Sequence, residues 1–383
     1  MKPRSWTKRL LSGLAVLLVL YFLWLGSVLI RHRAGREIPA GKRLPTHEVQ
    51  GVYHIHSTFS DGSQPLEKIV DAATSVGLDF IILTDHGNPN RASLASQGWK
   101  EDLLVLAGSE LSVSRGHLVA LGFRPPDGMF AQNAEAAAQE VAAAGGFTII
   151  AHPFSKTRWS WGPFAGYSGI EVVNSDSMLK ENFFRTLPYL PTLLLSPRIF
   201  LLKTLVRPSQ SLRKWDELCA TQAVSGYFST DAHLAYRMLF SCFRLHVLLE
   251  EPLAAKFEEA RAQVFNSLRG GAFYCAVDSA RPASGFTFWL ESQGGRFQMG
   301  SAVPRNVSPR MRLRARAAFP FAVQTHLLRD GEVVLRSEET DISFPSERPG
   351  VYRIEIYLRG GSPLARDFPW IISNPIYVRE DGL

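Results

Sequence analysis

The residues best suited to chemistry in this chain are histidines and carboxylates spread over short, separated motifs. The first is "GVYHIHSTFSDG", residues 51–62, where His54 and His56 stand one residue apart and Asp61 follows in a Ser-Asp-Gly turn. Alternate residues of a strand share a face, so such a pair can grip one ion. The same residue types recur downstream: Asp85 and His86 in "LTDHG", Glu110 in "AGSEL", His117 in "RGHLVALG", His152 in "IAHP", and Asp231 and His233 in "STDAH". One histidine at a strand end is usually only a polar side chain. Six of the ten histidines gathered with several carboxylates make a cluster that needs cations to compensate it. The donors are nitrogen and oxygen without thiolate, which suits Zn²⁺, Mn²⁺ or Fe²⁺ and disfavours iron–sulfur centres or Cu(I). Candidate ligands His54, His56, Asp61, His86, Glu110, His117, His152, Asp231 and His233 exceed the needs of one ion, so two or three divalent metals are expected, with Glu110 suited to bridge. Clustered divalent ions hold phosphoryl oxygens, acidify water and neutralise a leaving oxygen, which makes phosphoester hydrolysis the natural reaction.

Elements that would position these residues alternate along the chain. "GVYHIH", "DFIILTDH", "LLVLAGSEL", "HLVALGF", "FTIIAHP", "GIEVVNS" and "GYFSTDAH" read as strands, and "AFYCAV" closes the unit. Helices are expected over "PLEKIVDAATSVG", "NAEAAAQEVAAAGG" and "LAAKFEEARAQVFNSLRGG", with proline or asparagine at a start and glycine at each end. Strands alternating with helices imply an α/β fold with parallel strands, whose sites gather at the C-terminal strand ends. Residues 175–218 break the alternation with a leucine-rich, proline-broken, basic insertion. It reads either as a helical cover packed on the domain or, over 187–206, as a membrane-surface patch. From about Pro282 short alternating segments and the "RDGEVV" turn suggest a β-sandwich over 282–383.

The motifs "HIHSTFSDG", "LTDHG", "GSEL", "GHLVALG", "AHP" and "STDAH", in this order, resemble those of the PHP (polymerase and histidinol phosphatase) family. The resemblance implies a distorted (β/α)7 TIM-like barrel over 51–281, with a trinuclear metal site and phosphoester hydrolysis by a metal-activated water. It would put His54, His56, Glu110 and Asp231 on one metal, with Glu110 bridging to a second held by His117 and His152. Asp61, His86 and His233 would hold the third. Glu110, His86 and Asp85 are the expected catalytic residues, Asp85 by tuning a histidine or the water. Lys156 and Arg158 are expected to clamp the substrate phosphate. The β-rich tail looks like the sandwich appended to some membrane-linked relatives.

The N-terminus adds a location. Residues 1–9 are basic, and Leu10–Ile30 carries no charge, a length that as a helix spans about 31 Å, the thickness of a bilayer core. A linker, residues 31–50, follows. A retained single-pass anchor is expected, its basic start placing the body outside the cytoplasm. The net charge of +7 suits anionic partners: a phosphorylated small molecule or a lipid head group. No pattern for nucleic-acid recognition is present, so a nuclease module is the weaker alternative, beside a non-catalytic metal-stabilised scaffold. Cys219, Cys242 and Cys275 have neither metal nor disulfide spacing and read as buried thiols.

Overall fold

The computed structural model describes residues 4–34, 47–154, 159–163, 166–293, 295–305, 312–317, 319, 321–346, 348–360, 362 and 364–380. An N-terminal helix α1 (Arg4–Ala34) contains an apolar stretch, Lys8–Ile30, long enough to cross a membrane. The expected strands and helices then follow, with additions. They are β1 (His47–Ile55), α2 (Leu66–Thr74), β2 (Phe80–Leu83), α3 (Arg91–Ala95), β3 (Gly98–Lys100), β4 (Leu103–Ala107), β5 (Ser109–Val113), β6 (Gly116–Leu121), α4 (Ala134–Ala143), β7 (Phe147–Ile150) and β8 (Gly169–Asn174). The insertion supplies α5 (Ser175–Thr186), a 3₁₀ turn at Leu187–Tyr189, α6 (Thr192–Leu195), α7 (Pro197–Thr204) and α8 (Ser209–Cys219). β9 (Ser225–Ser229), α9 (Tyr236–Phe240), β10 (Phe243–Leu249), α10 (Phe257–Arg269) and β11 (Phe273–Val277) complete this part.

Strands β1, β2 and β4 run parallel in one sheet, and β7, β8 and β9 run parallel in a second. The all-parallel expectation fails at two places. β6 runs antiparallel to both β5 and β7, and the Ser114–Arg115 link between β5 and β6 is too short for a crossover. β10 pairs antiparallel with β1 and then with β11. The run expected as one strand over "LLVLAGSEL" divides into β4 and β5 at Gly108, where a Cβ would lie 2.2 Å from the Ala120 carbonyl oxygen. That break moves the chain from the first sheet to the second, so the strands form two open sheets where one closed barrel was expected. Isolated bridges, Ile55 to Ala232 and His86 to Glu110, join the two sheets. Both lie among the candidate ligands.

The last hundred residues form β12 (Thr287–Ser292), β13 (Gly295–Gln298), β14 (Ala302–Pro304), β15 (Arg312–Arg316), β16 (Val323–Arg329), β17 (Glu332–Ser337), β18 (Ile342–Pro345), β19 (Gly350–Leu358), β20 (Ile371–Ser373) and β21 (Ile376–Arg379). β13, β12, β15 and β18 make their own four-stranded sheet. The others extend the first sheet, since β20 pairs with β11 and so covers what would be an open edge. One apolar core runs through both regions, from Tyr53 and Phe80 to Trp370 and Tyr377. Charge also ties the insertion to the C-terminal strands. Buried Arg353 grips Asp216 of α8 with two bonds of 2.9 and 3.0 Å and also donates to Glu355, which Arg207 reaches at 3.0 Å.

Candidate metal centre

Backbone hydrogen bonds between strand ends create the site. The Ala232 N–H donates to the His54 carbonyl (3.1 Å) and the His56 N–H to the Ala232 carbonyl (3.0 Å), while the Thr230 hydroxyl caps the Tyr53 and His54 carbonyls. This stitches β1 to the end of β9 and sets His54 and His56 beside Asp231 and His233. At the other bridge the Glu110 N–H donates to the Thr84 carbonyl (3.1 Å), which carries His86 up to Glu110. Antiparallel pairing of β5 with β6 sets His117 opposite Ser112, and the Ala151 N–H bonded to the His117 carbonyl brings His152 alongside.

Glu110 is the hub. One carboxylate oxygen lies 3.3 Å from His54 Nε2, 3.2 Å from His56 Nε2 and 3.3 Å from His86 Nδ1; the other lies 2.8 Å from His117 Nδ1 and 3.0 Å from His152 Nε2. One oxygen of Asp231 lies 3.5 Å from nitrogens of His54, His56 and His233. Asp61, more than half exposed, faces His56, His86 and His233 at 3.3–3.6 Å. Ligand atoms within 4.8 Å of one another form four groups: His56, Asp61, His86 and His233; His54, His152 and Asp231; His54, His56 and Glu110; and His86, Glu110 and His117. All nine residues picked from the sequence as ligands therefore converge. The grouping differs in part from the expected one, with His56 joining Asp61, His86 and His233, and with His54 beside His152.

The electrostatics follow from crowding in a buried place. Burial opposes charge on Glu110, but His54, His117 and His152 hold its carboxyl well below the usual range. Burial likewise opposes Asp231, and His54 and His56 outweigh it. Burial disfavours charge on His56, yet Asp231 and Glu110 carry it up to about 9; His54 is raised well above its ordinary value by Asp231, Glu171 and Glu110. His86, with burial dominant, is lowered. Among the described residues, four buried imidazole nitrogens of this cluster, His54 Nε2, His56 Nδ1 and Nε2, and His86 Nδ1, have no hydrogen-bond partner. They face carboxylate oxygens at cation-sharing distance without hydrogen-bond geometry. Nitrogen and carboxylate donors so arranged fit Zn²⁺, Mn²⁺ or Fe²⁺.

Other residues named from the sequence fall elsewhere. Asp85 is fully buried but reaches no histidine. Its carboxylate accepts from the Ser57 N–H (2.6 Å), the Ser57 hydroxyl (3.0 Å) and the Ser60 hydroxyl (2.8 Å). It thus pins the turn that presents Asp61 and touches none of the described histidines it was expected to tune. Gly62 closes the turn, where a Cβ would meet the His56 carbonyl oxygen at 2.2 Å. Lys156 and Arg158 lie outside the described residues.

Two functional residues escaped the sequence reading. Glu171 of β8, fully buried, accepts from His54 Nδ1 (2.6 Å), the His152 N–H (2.8 Å), Asn174 Nδ2 (2.8 Å) and the Tyr53 hydroxyl. Holding the His54 proton at Nδ1 turns Nε2 toward the cluster as a lone pair, the tautomer a metal ligand requires. Asn174 also donates to Asp231 at 3.1 Å. The available signal was an acidic residue inside the apolar run "GIEVVN".

Residues 53–150 match the model of the PHP domain family. A two-domain protein from Bacteroides vulgatus ATCC 8482, containing a predicted PHP-like metal-dependent phosphoesterase, is similar at 15% identity and a TM-score of 0.44, over 89% of this chain and 98% of that one. A candidate metal-dependent phosphoesterase from Bifidobacterium adolescentis ATCC 15703 is 13% identical with a TM-score of 0.32, over 48% of this chain and 87% of that one. An amidohydrolase from Chromobacterium violaceum is 17% identical with a TM-score of 0.31, over the same shares of the two chains. The comparison with curated proteins gives no match.

Proposed function

We propose that the chain is a metal-dependent phosphoesterase, hydrolysing a phosphomonoester or phosphodiester with metal-activated water at a two- or three-metal site. The observation that supports this most is Glu110, a buried carboxylate with five histidine nitrogens divided between its two oxygens, within a PHP domain. In this reading residues 51–281 are the hydrolase unit, its two sheets the halves of a distorted barrel, and 282–383 a sandwich-like domain. The chain is a single-pass membrane protein with its body outside the cytoplasm.

His54, His56, Asp61, His86, Glu110, His117, His152, Asp231 and His233 would hold the ions. When bound, the ions supply an acidified water and positive charge for phosphoryl oxygens. The protein's own residues do the rest. Glu171 fixes the His54 tautomer, Asp85 fixes the Asp61 turn, and Asn174 orients Asp231. Beside the centre lies a cleft of about 520 Å³ lined by His152, Glu171, Asn174, Met178, Glu181 and Arg213, among others. Arg213 is exposed on α8 and can meet a substrate phosphate, a role also proposed for Lys156 and Arg158, which follow His152 in sequence. Burial raises the Glu181 carboxyl, as suits an acid that protonates a leaving oxygen.

The test joins metal content to turnover. Purified protein should carry two or three metals per chain by ICP-MS and hydrolyse a simple phosphomonoester or phosphodiester with Mn²⁺ or Zn²⁺, reversibly with chelator. Glu110→Gln should remain folded by circular dichroism and lose activity by a factor of about a thousand or more, comparable to removing a principal electrostatic element. A metal-free, inert wild type, or a fully active Glu110→Gln, sinks the reading.

A further inference from the structure

We infer that the insertion after β8 is a membrane-seated platform, held at the bilayer surface by α1, that turns the metal centre's cleft toward phosphoesters of membrane lipids. The substrate part of this inference rests on the phosphoesterase reading above; the membrane part does not.

The first observation is a contiguous apolar surface. Phe183, Phe184, Leu187, Leu190, Leu194 and Leu195 are all exposed, Leu194 at 90% and Phe184 at 83%. The insertion does not lack a core, because Ile199, Phe200, Leu201 and Leu202 of the neighbouring α7 are buried. An apolar patch kept outward beside a formed core marks a surface made for contact. The segments carrying it, a 3₁₀ turn and a four-residue helix, are too short to cross a bilayer and suit its interface.

The second observation says what covers the patch. The Tyr21 hydroxyl of α1 donates to the Pro188 carbonyl at 2.8 Å, and the Trp24 and Tyr189 rings lie 5.1 Å apart. Beyond that contact α1 changes character: Leu25 is buried and residues 26–29 are partly covered, whereas residues 8–20 are exposed throughout. The lipid-facing part therefore ends near Trp24, and Trp6 stands near its other end. Trp6 and Trp24 are about 27 Å apart along a helix, close to a hydrocarbon core of about 30 Å with aromatic rings at both boundaries, and Lys8 and Arg9, within a turn of Trp6, can extend their charged ends to that boundary. One boundary thus falls at Tyr21–Trp24, the level at which Pro188 and Tyr189 dock, and the exposed leucines and phenylalanines share it. Cations lie at that level too. Lys203 sits 5.5 Å from the Tyr189 ring, and Arg185 is exposed beside it. Lysine and arginine at this depth meet lipid phosphates.

The third observation links platform to site. Asn174, which contacts Asp231, caps α5, and the same helix lines the cleft with Met178 and Asn182 before presenting Phe183 and Phe184. From Asn174, at the edge of the metal centre, to Phe184 is about 15 Å along this helix. A phosphate held at the centre can stay joined to an apolar tail at the bilayer surface.

The experiment uses the full chain in vesicles of phosphatidylcholine and phosphatidic acid. The native cysteines are buried, so a fluorophore on Leu194→Cys reports that position alone, with Glu259→Cys on α10 as the control. Nitroxide-bearing lipid should quench the Leu194 label strongly and the control weakly, and aqueous iodide the reverse. Equal iodide quenching at both positions overturns the platform. Separately, a Phe184→Ser/Leu194→Ser/Leu195→Ser variant should keep hydrolysing soluble p-nitrophenyl phosphate while its release of phosphate from vesicle phosphatidic acid falls by about tenfold or more, as expected from removing several interfacial apolar anchors. Equal lipid hydrolysis by variant and wild type, or wild-type turnover of the soluble ester alone, overturns the lipid substrate. Failure of the wild type on every ester refutes the phosphoesterase reading instead, and the label at Leu194 still decides the platform.

Discussion

Replacing Glu171 by glutamine tests whether the centre is held from behind. The change keeps volume and removes one charge. Each Glu171 oxygen accepts two bonds: one from His54 Nδ1 and the Tyr53 hydroxyl, the other from the His152 N–H and Asn174 Nδ2. A glutamine amide can present its oxygen to only one of these pairs. Its NH₂ then faces two buried donors, leaving each without an acceptor at about 1–3 kcal/mol apiece. A loss of about 2–6 kcal/mol in stability follows, a large fraction of a typical total. If the amide turns its NH₂ toward His54, that ring loses the partner that keeps its proton on Nδ1. Removing such a partner of a metal-binding histidine lowers metal affinity about 10–100-fold. Chemical denaturation without metal reads the first effect, and competitive titration against a chromophoric chelator reads the second. A Glu171→Gln variant with wild-type metal affinity would refute the claim that Glu171 sets the His54 tautomer, whatever its stability.

Three further outcomes are expected. Arg353→Met takes the cation from partly buried Asp216 and leaves buried Glu355 to Arg207 and the Tyr357 hydroxyl, so the loss falls at or below the lower end of the about 3–5 kcal/mol for a broken buried pair, readable as a lower urea midpoint; an unchanged midpoint would mean that the contact between insertion and C-terminal strands contributes nothing. Burial opposes charge on His246, but Asp278 and Glu48 carry it up to about 9. Its stabilisation, on the order of 3 kcal/mol, is complete below pH 6.5 and disappears as pH rises through 9. Glu48, lowered against burial by His246, loses its share only in acid, so His246→Gln should flatten the decline in urea midpoint between pH 6.5 and 9; parallel wild-type and variant curves would contradict this. Adding Mn²⁺ or Zn²⁺ to metal-free protein at a thousand times its dissociation constant should stabilise it by about 4 kcal/mol per site, seen as a higher thermal midpoint, and no shift would argue against a metal centre.

The ligand set was legible because its residue types are rare at strand ends and recur there. Histidine after histidine at the close of an apolar run is a local pattern, and locality is what a sequence displays. The partition of those ligands is a long-range property. It depends on the stitching of β1 to β9 and of β2 to β5, which sets His54 and His56 beside Asp231 and His233 and brings His86 to Glu110. Nothing near His54 announces Glu171, 117 positions away. Asp85 shows the converse failure. Its place before His86 made it look chemical, yet its direction along the strand delivers it to Ser57 and Ser60. Strand identity was readable from apolar runs, but strand direction at β5, β6 and β10 was set by connection length and edge pairing. The C-terminal segments alternated as expected, and only the β11–β20 pairing reveals that some of them continue the first sheet.

The backbone carries a cost that points the same way as the side chains. Among the described residues six non-glycine positions have positive φ, and three of them are His54 at 65°, His152 at 27° and Asp231 at 46°. Histidine and aspartate tolerate this region better than most residues, but each position still costs about 1–3 kcal/mol. A fold optimised for stability alone would end these strands in relaxed geometry and pair the imidazole nitrogens with ordinary donors and acceptors. Here the chain twists three positions of the cluster, and four imidazole nitrogens of the same cluster, on His54, His56 and His86, are without hydrogen bonds. Both costs fall within one cluster and coincide at His54, and both are offset if a cation sits there: coordination satisfies the orphaned nitrogens and balances the buried carboxylates that crowd them. Glu171 and Asp85 then make sense as the two anchors of the arrangement, one behind His54 and one beneath the Asp61 turn, since strained ligands keep their directions only when the structure around them allows no other.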